Sequence, residues 1–189
     1  MDSPRSFDHR AGPEADRLDE LARLSAAVRG STNRPGLAEV LPRLQGRHHR
    51  VLRREEHWTS GDLARHPEPR DMARSMRKLG NIDGRGKLVR TFEMRRSVTE
   101  DVVENRFVRH VTEHVRGRLK ALGLEESAAL LRELDAAAHL AQFLREAGPL
   151  TEPVREPTAV LVRDPLYRAV YESWMALRRG DEAMAPREA

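Results

Sequence analysis

The sequence predicts a mainly α-helical protein: a long antiparallel helical hairpin with an N-terminal amphipathic helix, and room for one or two short strands near 86–97. Three patterns carry this. Val103, Phe107, Val111, Val115, Leu119 and Leu122 recur at spacings of 4, 4, 4, 4 and 3, which lays one apolar stripe along a helix. After Gly123 the period resumes with Leu131, Leu134, Ala138, Ala141 and Leu144. Near the other end Leu18, Leu21, Leu24 and Val28 form a third stripe, and Asp16, Asp19 and Glu20 lie toward the end that a helix dipole favours for acids.

Taken in order, residues 1–13 are polar, hold Pro and Gly without period, and read as a disordered tail. A helical domain is expected over 14–148. Its first helix runs from Glu14 to Arg29 and is broken by Gly30 to Gly36; Leu37, Val40, Leu41 and Leu44 then support a shorter one. From Gln45 to Gly86, Gly46, Gly61, Pro67, Pro69, Gly80 and Gly84 punctuate the chain, so short helices and turns are expected. Leu88 to Ser97 lacks clean polar alternation, and a short strand is the most it allows. Ser97-Val98-Thr99-Glu100 has capping-box form ahead of the long helix, and Gly123 stands where a C-terminal cap residue belongs. The helix from Leu124 to Ala147 should fold back on it, ending at Gly148-Pro149. Residues 149–164, interrupted by Pro149, Pro153 and Pro157, read as a linker. Asp164 is a natural N-cap with Pro165 at the first helical position, and Leu166, Val170, Trp174 and Leu177 stripe a final helix over 165–178; 179–189 reads as a tail.

Composition narrows the function. With 39% hydrophobic and 34% charged residues, a core forms while much of the chain faces water. No cysteine is present, which removes disulfides, a thiolate nucleophile and Cys-based metal sites, and suits a reducing cytoplasm. No apolar run approaches the ~20 residues of a membrane span, and with no apolar stretch in the opening Met1-Asp2-Ser3-Pro4-Arg5 no secretion signal is expected. Net charge is +4, but it is unevenly spread: Arg43 to Arg96 holds 15 basic and 7 acidic residues, +8, leaving −4 for the remainder. Clustered positive charge releases counterions from a phosphate backbone, so this segment is the candidate DNA contact, through Arg47, Arg50, Arg53, Arg54, Arg74, Arg77, Lys78, Arg85 and Lys87. GC-rich coding that writes Arg in place of Lys accounts equally well for an excess of arginine, since only Lys78, Lys87 and Lys120 are lysines.

Catalytic signatures are missing. Gly84-Arg85-Gly86-Lys87 is followed by Leu88 where a phosphate loop needs Ser or Thr. A PD-(D/E)xK nuclease needs an acid two residues before its lysine, and those positions are Met76, Arg85 and Arg118. His110 and His114 have the i, i+4 spacing of metal ligands, with His139 as a third candidate, but the same pair serves as interhelical hydrogen-bonding histidines; no metal or other cofactor is expected. Trp58 could stack on a base or pack in a core near Leu63.

The run ENRFVRH, Glu104 to His110, resembles the signature closing a bacterial domain of unknown function found in McrC-like proteins, components of 5-methylcytosine restriction systems. The basic stretch around Arg47 to Glu55 and DPLYRAVYESW from Asp164 are similar to the same family's layout. The resemblance covers roughly Gly46 to Leu177 and makes Glu104, Asn105, Arg106, Phe107, Asp164, Tyr167 and Arg168 the motif positions. It implies a domain that ordinarily precedes a PD-(D/E)xK nuclease; Ala189 stands about where that nuclease would begin, so no catalytic residue carries over. The reading that results is a non-catalytic helical accessory module of a restriction-like defence system, contacting DNA, a partner AAA-type ATPase or a nuclease chain. A protein–protein scaffold, or part of a split nuclease completed by another chain, are the alternatives. On helical geometry Phe107 belongs to the buried stripe, whereas Asn105, Arg109, Glu113 and Arg116 are expected on the opposite, accessible side.

Overall fold

A computed structural model describes residues 12–64 and 67–184. The described residues are mainly helical, with eight α-helices and two small antiparallel strand pairs. They divide into two compact units: a helical one built from the segments before Arg50 and after Thr99, and one formed by Arg50–Thr99.

In the helical unit, α1 (Pro13–Arg29) is followed by the two-residue strands β1 (Gly30–Ser31) and β2 (Arg34–Pro35), then α2 (Leu37–Gln45). After Thr99 come α4 (Val103–Leu122), α5 (Glu125–Leu140), α6 (Phe143–Glu146), α7 (Ala159–Arg163) and α8 (Pro165–Met184). One apolar cluster holds them together, with Leu24, Val28, Leu41, Phe107, Val111, Leu134, Phe143, Leu161, Tyr167 and Leu177 among its members. The turn after α1 has no room for side chains. A Cβ at Gly36 would collide with the backbone of Val28 and Gly30, and Gly30 itself has φ +92°. Gly123, at φ +63° and ψ 22°, ends α4 in the left-handed conformation that its place after the apolar stripe predicts. Arg116 of α4 and Asp135 of α5 form an ion pair at 2.7 Å.

In the 50–99 unit, β3 (Val51–Ser60) and β4 (Arg90–Thr99) pair antiparallel along their whole length, from Val51↔Thr99 to Ser60↔Arg90. A 3-10 turn (Gly61–Leu63) follows β3, and α3 (Pro69–Arg77) packs on β4. Ser75 anchors the packing: its hydroxyl accepts from the Phe92 amide at 2.8 Å. Asn81 closes the loop between α3 and β4, donating to the carbonyls of Ser75 and Arg90 and accepting from the Arg90 amide.

Several expectations need correction. The strand near 86–97 is a ten-residue strand with a ten-residue partner at Val51–Ser60, where turns were expected. Ser97 to Thr99 finish β4 and do not cap α4, whose N-cap is Val102. The helix expected to reach Ala147 stops at Leu140, because the Phe143 amide takes the Gln45 side chain as its acceptor and the Phe143 ring stacks on His48 at 5.0 Å. The expected linker contains α7, whose Leu161 is fully buried and whose first turn is capped by Thr158. α8 continues to Met184, past the Arg178 limit, with Asp181 paired to Arg118. Leu18, placed in the first stripe, is 57% exposed. The tail expected over 1–13 lies outside the described residues except for Gly12 and Pro13.

Candidate functional site

Of the nine cations singled out for DNA contact, eight fall in the 50–99 unit and all nine are exposed. That unit carries 13 basic and 7 acidic residues, a net charge of +6. Arg53 and Arg54 are adjacent on β3, and the antiparallel register sets Arg54 directly opposite Arg96. Arg53 pairs with Glu55 at 3.3 Å. Arg74 on α3 makes a two-pronged contact with Glu56, at 2.9 and 3.1 Å, while its guanidinium lies 3.9 Å over the Phe92 ring. The Lys78 ammonium sits 4.1 Å over Trp58, whose ring meets Phe92 edge-on at 5.4 Å. Trp58 is thus covered on one face by a cation and packed by an aromatic neighbour, a poor platform for a base. Arg85 and Lys87 stand on a tight turn in which both backbone amides donate to the Asp83 carboxylate at 2.8 Å and Gly86 has φ +78°. Neither their side chains nor that of Arg77 meets a carboxylate among the described residues. Arg47 belongs instead to the helical unit, 3.6 Å from Asp164.

Arg70, Arg95 and Arg96, which sequence reasoning counted but did not single out, complete this array. Arg70 bonds Glu68 at 2.8 Å and Arg95 lies 3.4 Å from Glu93. What could have found the last two is the strand register, since Arg95 and Arg96 are the cross-strand partners of Glu55 and Arg54; Arg70 lies on α3, outside any register.

The ENRF positions form a different constellation, inside the helical unit. Asn105 is fully buried and does not face outward as its helical phase suggested. Its amide donates to the carbonyls of His49, at 2.9 Å, and Glu100, at 2.7 Å. Its oxygen accepts from the Tyr167 hydroxyl at 2.5 Å, and that hydroxyl in turn accepts from the His49 amide at 2.7 Å. His49 and Glu100 are the residues of this unit that flank the 50–99 insertion, so one side chain fastens the points of exit and return. Burial pushes the Tyr167 phenol up to about 12, with the nearby Glu104 and Asp164 charges adding to it.

Around this knot Glu104 meets His49 Nδ1 at 3.2 Å. Burial disfavours the Glu104 charge, but hydrogen bonds from Thr158, its own backbone and His49 outweigh that and hold its carboxyl below the ordinary carboxylate range. His48 bridges Glu100, at 2.8 Å, and the Gln45 carbonyl, at 2.8 Å. Arg106 makes a two-pronged pair with Asp101 at 2.6 Å, and Asp101 also accepts from the Gly148 amide. Asp164 caps α8 through the amides of Leu166 and Tyr167, and Arg168 is exposed, 3.9 Å from Glu172. Phe107 lies in the core against Tyr171 and Trp174. Each motif side chain except Arg168 is therefore engaged in the packing or fastening of its own unit.

His110 and His114 turn their rings onto Trp174, at 5.2 and 5.0 Å, while His139 lies 3.4 Å from Arg145. Burial and the Arg118 charge hold the His114 imidazole below its ordinary value, and its Nε2 is buried without a partner. Among the described residues no three His, Asp or Glu side chains gather as a metal site would need. No described helix is long and apolar enough to cross a membrane.

A family model described as "Domain of unknown function (DUF2357)" matches residues 14–174, a span that takes in both units, the ENRF run and the start of α8. No curated protein and no solved structure matches the chain. With the match covering most of its length, the chain belongs to the family Domain of unknown function (DUF2357).

Proposed function

We propose that the chain is a non-catalytic accessory module of a restriction-like, McrC-type defence system, working in the cytoplasm. In this reading the 50–99 unit contacts DNA, the helical unit, with α4 and α5 as an antiparallel hairpin, carries it, and a partner ATPase or nuclease chain supplies the chemistry. The observation that carries the reading is the concentration of +6 on fifty residues built around a two-stranded ribbon and an exposed Arg85/Lys87 turn. A ribbon of this kind is one of the two elements that a B-DNA major groove admits. Few aromatic faces are free to stack, so the contact is with phosphates.

The test is duplex binding as a function of salt. The log–log slope should be about −0.9 per phosphate neutralised. Serine at Arg53, Arg54, Arg85 and Lys87 together should flatten it, whereas serine at Arg145, Arg155, Arg168 and Arg178 should not. An intact chain without salt-sensitive binding refutes the reading.

One observation favours a protein–protein scaffold instead: Arg53, Arg70, Arg74 and Arg95 already face Glu55, Glu68, Glu56 and Glu93. Under that reading the arginine-to-serine set changes no DNA affinity, because the unit does not meet DNA.

A further inference from the structure

The Arg54↔Arg96 pair is the least self-sufficient feature of the ribbon. Like charges directly opposite on one face of an antiparallel pair repel, so the pairing needs an anion nearby. Arg70 and Arg74 of α3 join these two around a cavity of about 280 Å³, with Phe92 and Met94 also in its wall. Two acids share the space. Asp71 is buried and held by the Met94 amide, from which it accepts at 3.4 Å, and its charge acts on Arg70 and Arg74 from below. Glu68 is different. It occupies the N-cap position of α3, yet its carboxylate does not cap the helix. Oε2 takes Nε and Nη2 of Arg70, each at 2.8 Å, and Oε1 lies 3.7 Å from Arg96. The Arg70 hydrogen bond, then the charges of Arg70, Arg96 and Arg54, hold the carboxyl below its ordinary range. Glu68, Arg70 and Arg96 keep substantial solvent access, and Arg54 is exposed, so these four can rearrange without disturbing the buried Phe92 and Asp71.

We infer that Arg54, Arg96 and Arg70 form a seat for one backbone phosphate of duplex DNA, and that Glu68 occupies this seat until a phosphodiester displaces it. This rests on the DNA reading above and makes it specific. A phosphodiester, like a carboxylate, offers two acceptor oxygens and one negative charge, and the arginine fork suits either. When the phosphate arrives, Glu68 swings to solvent; no bond is made or broken.

The experiment measures binding of a short labelled duplex over a salt series by wild type, Glu68→Gln, Asp62→Asn, Arg54→Ser/Arg96→Ser, and the triple variant. Asp62→Asn removes one negative charge from the same unit away from the seat. Glu68→Gln should tighten binding about threefold to tenfold at low salt, because no competing carboxylate has to be displaced, with the number of phosphates neutralised and hence the slope unchanged, while Asp62→Asn leaves the affinity as it is. Without Arg54 and Arg96 the slope should flatten by about 0.9, one phosphate's worth, and Glu68→Gln should no longer matter. Circular dichroism identical to wild type establishes that each variant is folded. Equal gains from Glu68→Gln and Asp62→Asn, or a gain that survives loss of both arginines, overturns the seat. Salt-sensitive binding that ignores all these variants overturns the seat and leaves the DNA reading standing. No binding by any variant overturns both.

Discussion

Replacing Asn105 by alanine should be among the most damaging single substitutions in the chain. The side chain is fully buried and makes three hydrogen bonds, donating to the His49 and Glu100 carbonyls and accepting from Tyr167. Alanine leaves two backbone acceptors and one hydroxyl without that partner. A buried polar group left unpaired costs ~1–3 kcal/mol; the Tyr167 hydroxyl keeps its contact with the His49 amide and the Glu100 carbonyl keeps the Val102 amide, so the His49 carbonyl dominates, with the other two lost bonds adding less. The expected loss is about 2–4 kcal/mol, moderated if water enters the vacated space. For a chain of this size that is a fall in Tm of roughly 4–16 °C at ~2–4 °C per kcal/mol. Thermal melts followed by far-ultraviolet circular dichroism measure it. Tyr167→Phe should cost about 2–4 kcal/mol, because Asn105 and the His49 amide each lose a partner. As the two side chains share one bond, the double variant should fall short of the sum by ~0.5–3 kcal/mol. A loss below about 0.5 kcal/mol for Asn105→Ala, or strict additivity with Tyr167→Phe, would refute the idea that this side chain fastens the two crossings.

Phe107→Ala should cost ~3–5 kcal/mol, read as a lowered melting temperature, because the ring is 2% exposed and packs on Tyr171 and Trp174. Gly36→Ala should be poorly tolerated and yield little folded protein on expression, since its Cβ would meet the backbone of Val28 and Gly30. The His114 imidazole is held below 6.5, by burial first and Arg118 second against the opposing Asp181 and Glu20, so the folded chain binds fewer protons there than the unfolded one. Its contribution to stability is complete above about 6.5 and is lost as pH falls from there through the depressed value; His114→Leu should flatten urea-midpoint plots in that window. Glu104 acts in the same direction at lower pH: its depressed carboxyl contributes stability above about 4.5 that disappears on further acidification, and Glu104→Gln should remove that lower step. Incubated with magnesium or manganese, the purified chain should leave DNA intact; cleavage abolished by changing one of its own acids would contradict the accessory reading.

How far the sequence discloses these features depends on what each one buries. The helical stripes were legible because Val111, Val115 and Leu134 each place an apolar group in one shared core, and period 3.6 is the imprint of that. The same holds for α2, whose Leu37, Val40, Leu41 and Leu44 are all buried. β3 leaves no imprint. Residues 51–57 are exposed on both faces, so Arg53-Arg54-Glu55-Glu56 alternates nothing, and only pairing with β4 makes them a strand. Leu161 was hidden for another reason: a five-residue helix is too short for a period to show. Asn105 misled because helical phase ranks faces by hydrophobicity, whereas this face is buried against backbone carbonyls to which the Asn105 amide donates twice. For the candidate DNA contact, the charge excess was legible from composition, but the Arg54↔Arg96 apposition needed a register that no local signal sets.

The pairing of Val51 with Thr99 has a consequence for the gene as much as for the protein. Cross-strand partners stand only about 4.5–5.5 Å apart, so the forty-seven residues between them form a closed excursion whose ends already touch. Shortening that excursion to a tight hairpin would ask the helical unit for no new span, and a shorter loop costs less entropy to close. The insertion is thus a cassette: it can lengthen, shrink or be exchanged for another while residues 12–49 and 100–184 keep their core, provided that Asn105 still finds the two carbonyls at the splice.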